Sequence, residues 1–290
     1  MSIKLIADSG SDMPRGYAKE NDIDIVPLIV NFEDQEFLDG ETIDPIDLYK
    51  NMREGTVYKT AQVSIHTFKE LFKEYAKRGD QCIYIAFSSE LSGTYQAAEM
   101  AKSDVLEEYP GFDITIVDSK AASFGYGLIV YYANQMIQRG RSKEDVVQAI
   151  QFFSEHMEHV FTVDNLEYLY RGGRVSRTSA FVGGLLNIKP ILEVQDGKLV
   201  PLEKIRGRKK VLKRMVDIME ERGTDFSNQI IGISHGDDLE TAEALREEIQ
   251  GRFQCKGFML PLIGAAIGAH AGPGTIALFF LNKEIPEEYR

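Results

Sequence analysis

Cysteine is scarce in this chain. Cys82 and Cys255 are the only two in 290 residues, and both lie in apolar, strand-like runs. Two isolated thiols exclude a disulfide framework and read as buried free thiols of a reducing compartment. With no Cys-x-x-Cys and no Cys/His cluster, a zinc site has no ligand set, and no metal site is expected. No apolar run is long enough to cross a bilayer. The opening Met1-Ser2-Ile3-Lys4-Leu5-Ile6-Ala7-Asp8 goes straight into a strand pattern and reads as no signal peptide. A cytoplasmic protein is expected. There is no GxxxxGK[ST] loop and no GxGxxG after the first strand, so nucleotide binding has no support.

The rest of the composition is that of an ordinary globular chain, 43% hydrophobic and 27% charged, long enough for one large or two ordinary domains. A net charge of -12 argues against a general nucleic-acid binder and against attraction to anionic membranes. A monomer is expected.

Strand and helix patterns alternate through the first half. Strands are expected over residues 3–7, 23–30, 82–87 and 112–117. Helix starts are expected at Asp12, Asp44-Pro45, Ser64, Ser92 and Ser142, where a capping side chain precedes a periodic segment. That order predicts a mostly parallel, Rossmann-like sheet covered by helices on both faces. Near residue 160 the pattern changes. A small-residue helix is expected over 176–186, then two strands joined at Asp196-Gly197, a strong hairpin signal. A basic amphipathic helix follows, then strand and helix patterns and a last strand over 275–281. The fold class is therefore α/β with two domains. The boundaries expected are 1–158, with a surface hairpin insertion at about 31–58, and 159–290 with a mixed sheet.

Five clusters could carry chemistry. Ser88-Ser89-Glu90-Leu91-Ser92-Gly93-Thr94 joins a buried strand to a helix. Its unpaired N–H groups and glycine could cradle an anion, though the local residues alone favour Ser92 as a simple cap. Thr60, Gln62 and Ser64 precede another helix, where turn and capping roles are favoured. His270 sits among small residues before a rigid Gly272-Pro273-Gly274 turn, and packing and ligand contact are evenly balanced. Arg171-Gly172-Gly173-Arg174 places two guanidinium groups around a flexible backbone, suited to phosphate or carboxylate. The segment carrying Arg206 and Arg208 concentrates base in an acidic chain and is either a solvated face or a docking surface. The other histidines, His66, His156, His159 and His235, read as surface or packing residues. Asp8, Asp12 and Asp118 read as loop or cap residues.

Taken together, Ile6-Ala7-Asp8-Ser9, the Thr60–Ser64 segment, the Ser88–Gln96 stretch, Arg171-Gly172-Gly173-Arg174-Val175-Ser176 and His270-Ala271-Gly272-Pro273-Gly274-Thr275 resemble the motifs of the DegV family. Their order spans nearly the whole chain. Ala61 and Val63 depart from the usual Thr-Ser-Gln-Pro-Ser of that family. The resemblance implies a lipid-binding, non-catalytic protein, similar to the carrier subunit of bacterial fatty acid kinase. In such a protein a long acyl chain is buried and its carboxylate is presented to a separate ATP-binding kinase subunit. The resulting acyl phosphate feeds phospholipid synthesis. Matching motif positions makes Thr60, Ser92 with Gly93, and His270 the carboxylate-binding residues. Arg171, Arg174, Arg206 and Arg208 become candidates for contacting the kinase or the new phosphate. The fatty acid is the only ligand implied, with no cofactor. Phe181, Leu185, Leu186, Ile188, Ile263 and Ile267 are apolar tunnel candidates. The competing reading is a serine hydrolase acting on acyl esters, with Ser92, Asp118 and His270 in the chain order of α/β hydrolases. Against it, no GxSxG nucleophile elbow is expected in the chain.

Overall fold

The computed structural model describes residues 3–176 and 188–290. Its first part runs β1 (Ile3–Asp8), α1 (Arg15–Glu20), β2 (Asp24–Val26), β3 (Ile29–Phe32), β4 (Gln35–Leu38), α2 (Pro45–Arg53), β5 (Lys59–Ala61), α3 (Ile65–Arg78), β6 (Gln81–Ala86), α4 (Thr94–Glu108), β7 (Asp113–Asp118), α5 (Ser123–Gln138) and α6 (Lys143–His156). The second runs β8 (Met157–Thr162), α7 (Glu167–Gly172), β9 (Ile188–Gln195), β10 (Lys198–Arg206), α8 (Arg208–Arg222), β11 (Ile230–His235), α9 (Leu239–Arg252), β12 (Gly257–Met259), α10 (Ala265–Ala271) and β13 (Ile276–Leu281). The helix expected over 176–186 lies outside the described residues.

The architecture is α/β. A parallel sheet has the order β2-β1-β6-β7, and a mixed sheet the order β10-β9-β8-β13-β11-β12. Each central strand alternates between two cores. On β6, Ile83 and Ile85 face one cluster, while Cys82, Tyr84 and Ala86 face another. On β13, Ala277, Phe279 and Leu281 face the first cluster, while Ile276, Leu278 and Phe280 face a third under α8 and α9. Such strands are apolar throughout because both faces are covered. The shared cluster centres on α5, which packs against strands of both large sheets. Two of its glycines permit this close fit. A β-carbon on Gly125 would lie 2.3 Å from His159 Nε2, and one on Gly127 would lie 2.5 Å from the Ser11 carbonyl.

Two expectations need correction. The strand expected over 23–30 is two strands in different sheets. Pro27 lacks an N–H for a ladder, and the Leu28 N–H goes to Ser9 Oγ at 3.0 Å, so the chain turns out of the parallel sheet there. β3 then begins a three-stranded antiparallel sheet, β4-β3-β5. Asp12 was expected to cap α1, yet Pro14 occupies that cap position. Asp12 Oδ1 instead accepts from Gly264 N at 2.8 Å, and Asp39 Oδ1 accepts from Ala265 N at 2.8 Å. Two aspartate side chains from the first forty residues thus hold the start of α10. The caps at Asp44, Ser64 and Ser142 form as expected.

Burial pushes the Asp12 carboxyl from 3.8 up to about 8. A carboxyl whose folded pKa lies above its unfolded value loses stability as pH rises through the window between them. Thermal stability should therefore decline as pH rises toward 8. Asp12→Asn keeps an acceptor for Gly264 and tolerates the left-handed backbone at this position (φ 49°), so it should flatten that decline. Identical slopes in melts of both proteins would contradict this.

Candidate functional site

In the parallel sheet the chain goes from β1 to β2 on one side, then crosses back to β6 on the other. The crevice outside the carboxyl ends of β1 and β6 is where ligands bind in such sheets. Asp8 pins the two ends together. Its Oδ2 accepts from Tyr84 Oη at 2.7 Å and from Phe87 N at 2.9 Å. Burial pushes the Asp8 carboxyl up to about 6.

Beyond this seam lies a cavity of about 200 Å³. Its walls are mostly apolar, with Leu28, Phe87, Leu91, Phe161, Leu169, Leu199, Ile263, Ile267 and Phe279 among them. Thr60, Ser92, Gly93 and His270 all line it. Thr60 stands on β5, paired with Val30, rather than in the turn its sequence suggested. A three-residue strand leaves too little alternation to read. Ser92 is one residue short of the cap expected of it, because Gly93 is the cap residue of α4. Ser92 Oγ lies 2.8 Å from Thr94 Oγ1, which also accepts from Val63 N at 3.4 Å. That hydroxyl ties the Thr60 segment to the α4 terminus.

His270 Nε2 lies 2.6 Å from Thr60 Oγ1. Burial first, and then the charge of Arg174, pushes its imidazole down to about 4, so it is neutral at physiological pH. The backbone of Gly172 lies against the ring, where a β-carbon would sit 2.0 Å from Nδ1. The first glycine of the Arg171–Arg174 motif therefore makes room for His270. Arg174 lines the cavity, bonding the Leu91 carbonyl through Nε at 3.1 Å and Nη2 at 3.0 Å, and the Gly172 carbonyl through Nη1 at 2.6 Å. Among the described residues it pairs with no carboxylate. A half-buried guanidinium keeps its charge, so this end of the cavity is electropositive.

The other expected arginines lie elsewhere. Arg171 is exposed and pairs with Glu167 at 3.2 Å, and Arg206 is exposed on β10. Arg208 pairs with Asp164 and Asp238 and bonds the Gly274 carbonyl, which braces the turn after His270. Of the tunnel candidates, Ile263 and Ile267 line the cavity, and Phe181, Leu185 and Leu186 lie outside the described residues. His159 also lines the cavity as a neutral packing residue, with Nδ1 3.0 Å from the Met157 carbonyl.

No hydrolase triad is assembled among the described residues. Ser92 bonds Thr94, His270 bonds Thr60, and Asp118 bonds Ser89 and Lys120. The expectation of no GxSxG pattern is wrong, because Gly232-Ile233-Ser234-His235-Gly236 spells one. Ser234, however, lies within β11 rather than on a turn, is fully buried, and bonds Ser123 Oγ at 3.0 Å.

A family model described as "Uncharacterised protein, DegV family COG1307" matches residues 2–283. The chain belongs to the DegV family. A DegV domain-containing protein of Clostridium perfringens is 42% identical over 281 residues, covering 96% of this chain and 97% of its own. Among solved structures, a DegV lipid binding protein from Thermotoga maritima has a TM-score of 0.86 at 30% identity, covering 96% of this chain and 98% of its own. A DegV family protein from Thermus thermophilus, whose structure concerns fatty acid binding, has a TM-score of 0.86 at 31% identity and covers 96% and 99%. Among the described residues of this DegV chain, no helix is long and apolar enough to cross a membrane.

The close fit at Gly172 is testable. Its φ is not in the left-handed region, so Gly172→Ala adds bulk without backbone strain. The methyl group should displace His270 and lower the unfolding free energy by about 1–3 kcal/mol. An unchanged urea midpoint would contradict the contact.

Proposed function

We propose that the protein binds a long-chain fatty acid in this cavity and presents its carboxylate to a separate ATP-binding kinase subunit. The kinase converts the bound acid to acyl phosphate, the precursor for phospholipid synthesis, in the cytoplasm. Thr60, Ser92, Gly93 and His270 hold the carboxylate. Arg174 supplies the nearby positive charge, and Arg171, Arg206 and Arg208 belong to the face that meets the kinase or the new phosphate.

One observation carries this reading. A mostly apolar cavity gathers at one place two hydroxyls, a neutral imidazole, a helix N-terminus and an arginine that pairs with no carboxylate among the described residues. Lipid- and fatty-acid-binding relatives of the same fold support the choice of ligand. Each buried methylene contributes roughly 0.8 kcal/mol, so the chain dominates affinity and the polar end fixes orientation.

Purified protein extracted with organic solvent should release free fatty acid, detected by mass spectrometry. Thr60→Ala with Ser92→Ala should weaken palmitate binding by about 100-fold, the worth of two hydrogen bonds to a charged group. Acyl phosphate should form only when kinase and ATP are both present. A lipid-free extract together with unchanged palmitate affinity in the double variant would overturn the reading.

A further inference from the structure

Gly93 poses a question its backbone does not answer. Its φ of -73° and ψ of 3° suit any residue, so conformational freedom does not require glycine here. Space does. A β-carbon built on Gly93 would lie 1.9 Å from Gln62 Oε1 and 3.0 Å from its Cδ. The Gln62 carboxamide occupies the volume that a side chain at 93 would fill.

Gln62 lies immediately after β5, two residues from Thr60, and is exposed while also lining the cavity. It therefore stands at the mouth, over the start of α4. Among the described residues its amide makes no hydrogen bond, so both N–H donors are open. Its neighbours Thr60, Ser92 and His270 are engaged with one another or with Thr94.

We propose that Gln62 is a specificity-determining residue whose amide N–H binds the solvent-side oxygen of the ligand's carboxylate. This rests on the fatty-acid reading above and deepens it. The three neighbours hold the inner part of the head group, and Gln62 closes over the outer oxygen, the one a kinase must reach. A neutral donor at that position favours a carboxylate over an uncharged head group and leaves the oxygen exposed at the mouth. Gly93 is glycine so that this amide can lie across it.

The test is to titrate the full-length protein with palmitate and with hexadecanol, which has a comparable chain and no charge. Gln62→Ala should weaken palmitate about tenfold, the worth of one hydrogen bond to a carboxylate, and leave hexadecanol unchanged. Gln62→Glu sets a like charge beside the carboxylate. It should weaken palmitate beyond Gln62→Ala at about pH 8, and the gap should close toward about pH 5.5 as the paired carboxyls take up a proton. Gly93→Ala should cost palmitate affinity in the parent chain and little more in the Gln62→Ala background. Unchanged hexadecanol binding by the Gln62 variants shows that they are folded. Parent-like palmitate affinity in Gln62→Ala and Gln62→Glu at both pH values would overturn the assignment while the fatty-acid reading stands. Failure of the parent protein to bind palmitate would remove both.

Discussion

Two aspartates from the first forty residues hold a helix from the last thirty. Asp12 and Asp39 accept the N–H groups of Gly264 and Ala265, and that grip sets where α10 begins. Its far end carries His270, which meets Thr60 across 210 residues of chain. Tyr49 supports the same helix, bonding the Ile263 carbonyl at 3.1 Å, with its hydroxyl 2.5 Å from where a β-carbon on Gly268 would lie. These contacts help place His270 against Thr60, two residues from distant segments of the chain.

The polar end is built largely from neutral groups. Hydroxyls, an imidazole without charge and the terminus of a fifteen-residue helix can orient an anion without a full ion pair. Arg174 adds one positive charge, held in place by backbone carbonyls rather than by an acid. The result is a socket that leaves most of the binding energy to apolar contact.

Sequence alone revealed the local devices. The apolar run of β6 followed by small polar residues, the caps at Asp44, Ser64 and Ser142, and the Asp196-Gly197 hairpin are short-range features that physics fixes within a few residues. The motif resemblance groups Thr60, Ser92 and His270, which the fold brings to one cavity. What sequence could not reveal depends on distant segments. Asp12 has the residue type and position of an α1 cap and serves a helix 252 residues away. Gln62 looked like turn chemistry because nothing nearby shows Gly93 beneath it. Phe161 and Phe279 are ordinary core residues by pattern, and only the packing of elements distant in sequence turns part of each toward a cavity.

The central claim is that an acyl chain fills the apolar cavity with its carboxylate among Thr60, Ser92 and His270. A crystal structure of the protein with palmitate tests it most directly. The account predicts continuous density for the chain in the cavity lined by Leu91, Phe161, Leu169, Ile267 and Phe279, ending in a carboxylate within hydrogen-bonding distance of the Thr60 and Ser92 hydroxyls. Palmitate bound elsewhere, or a chain entering with its methyl end at Thr60, would contradict it.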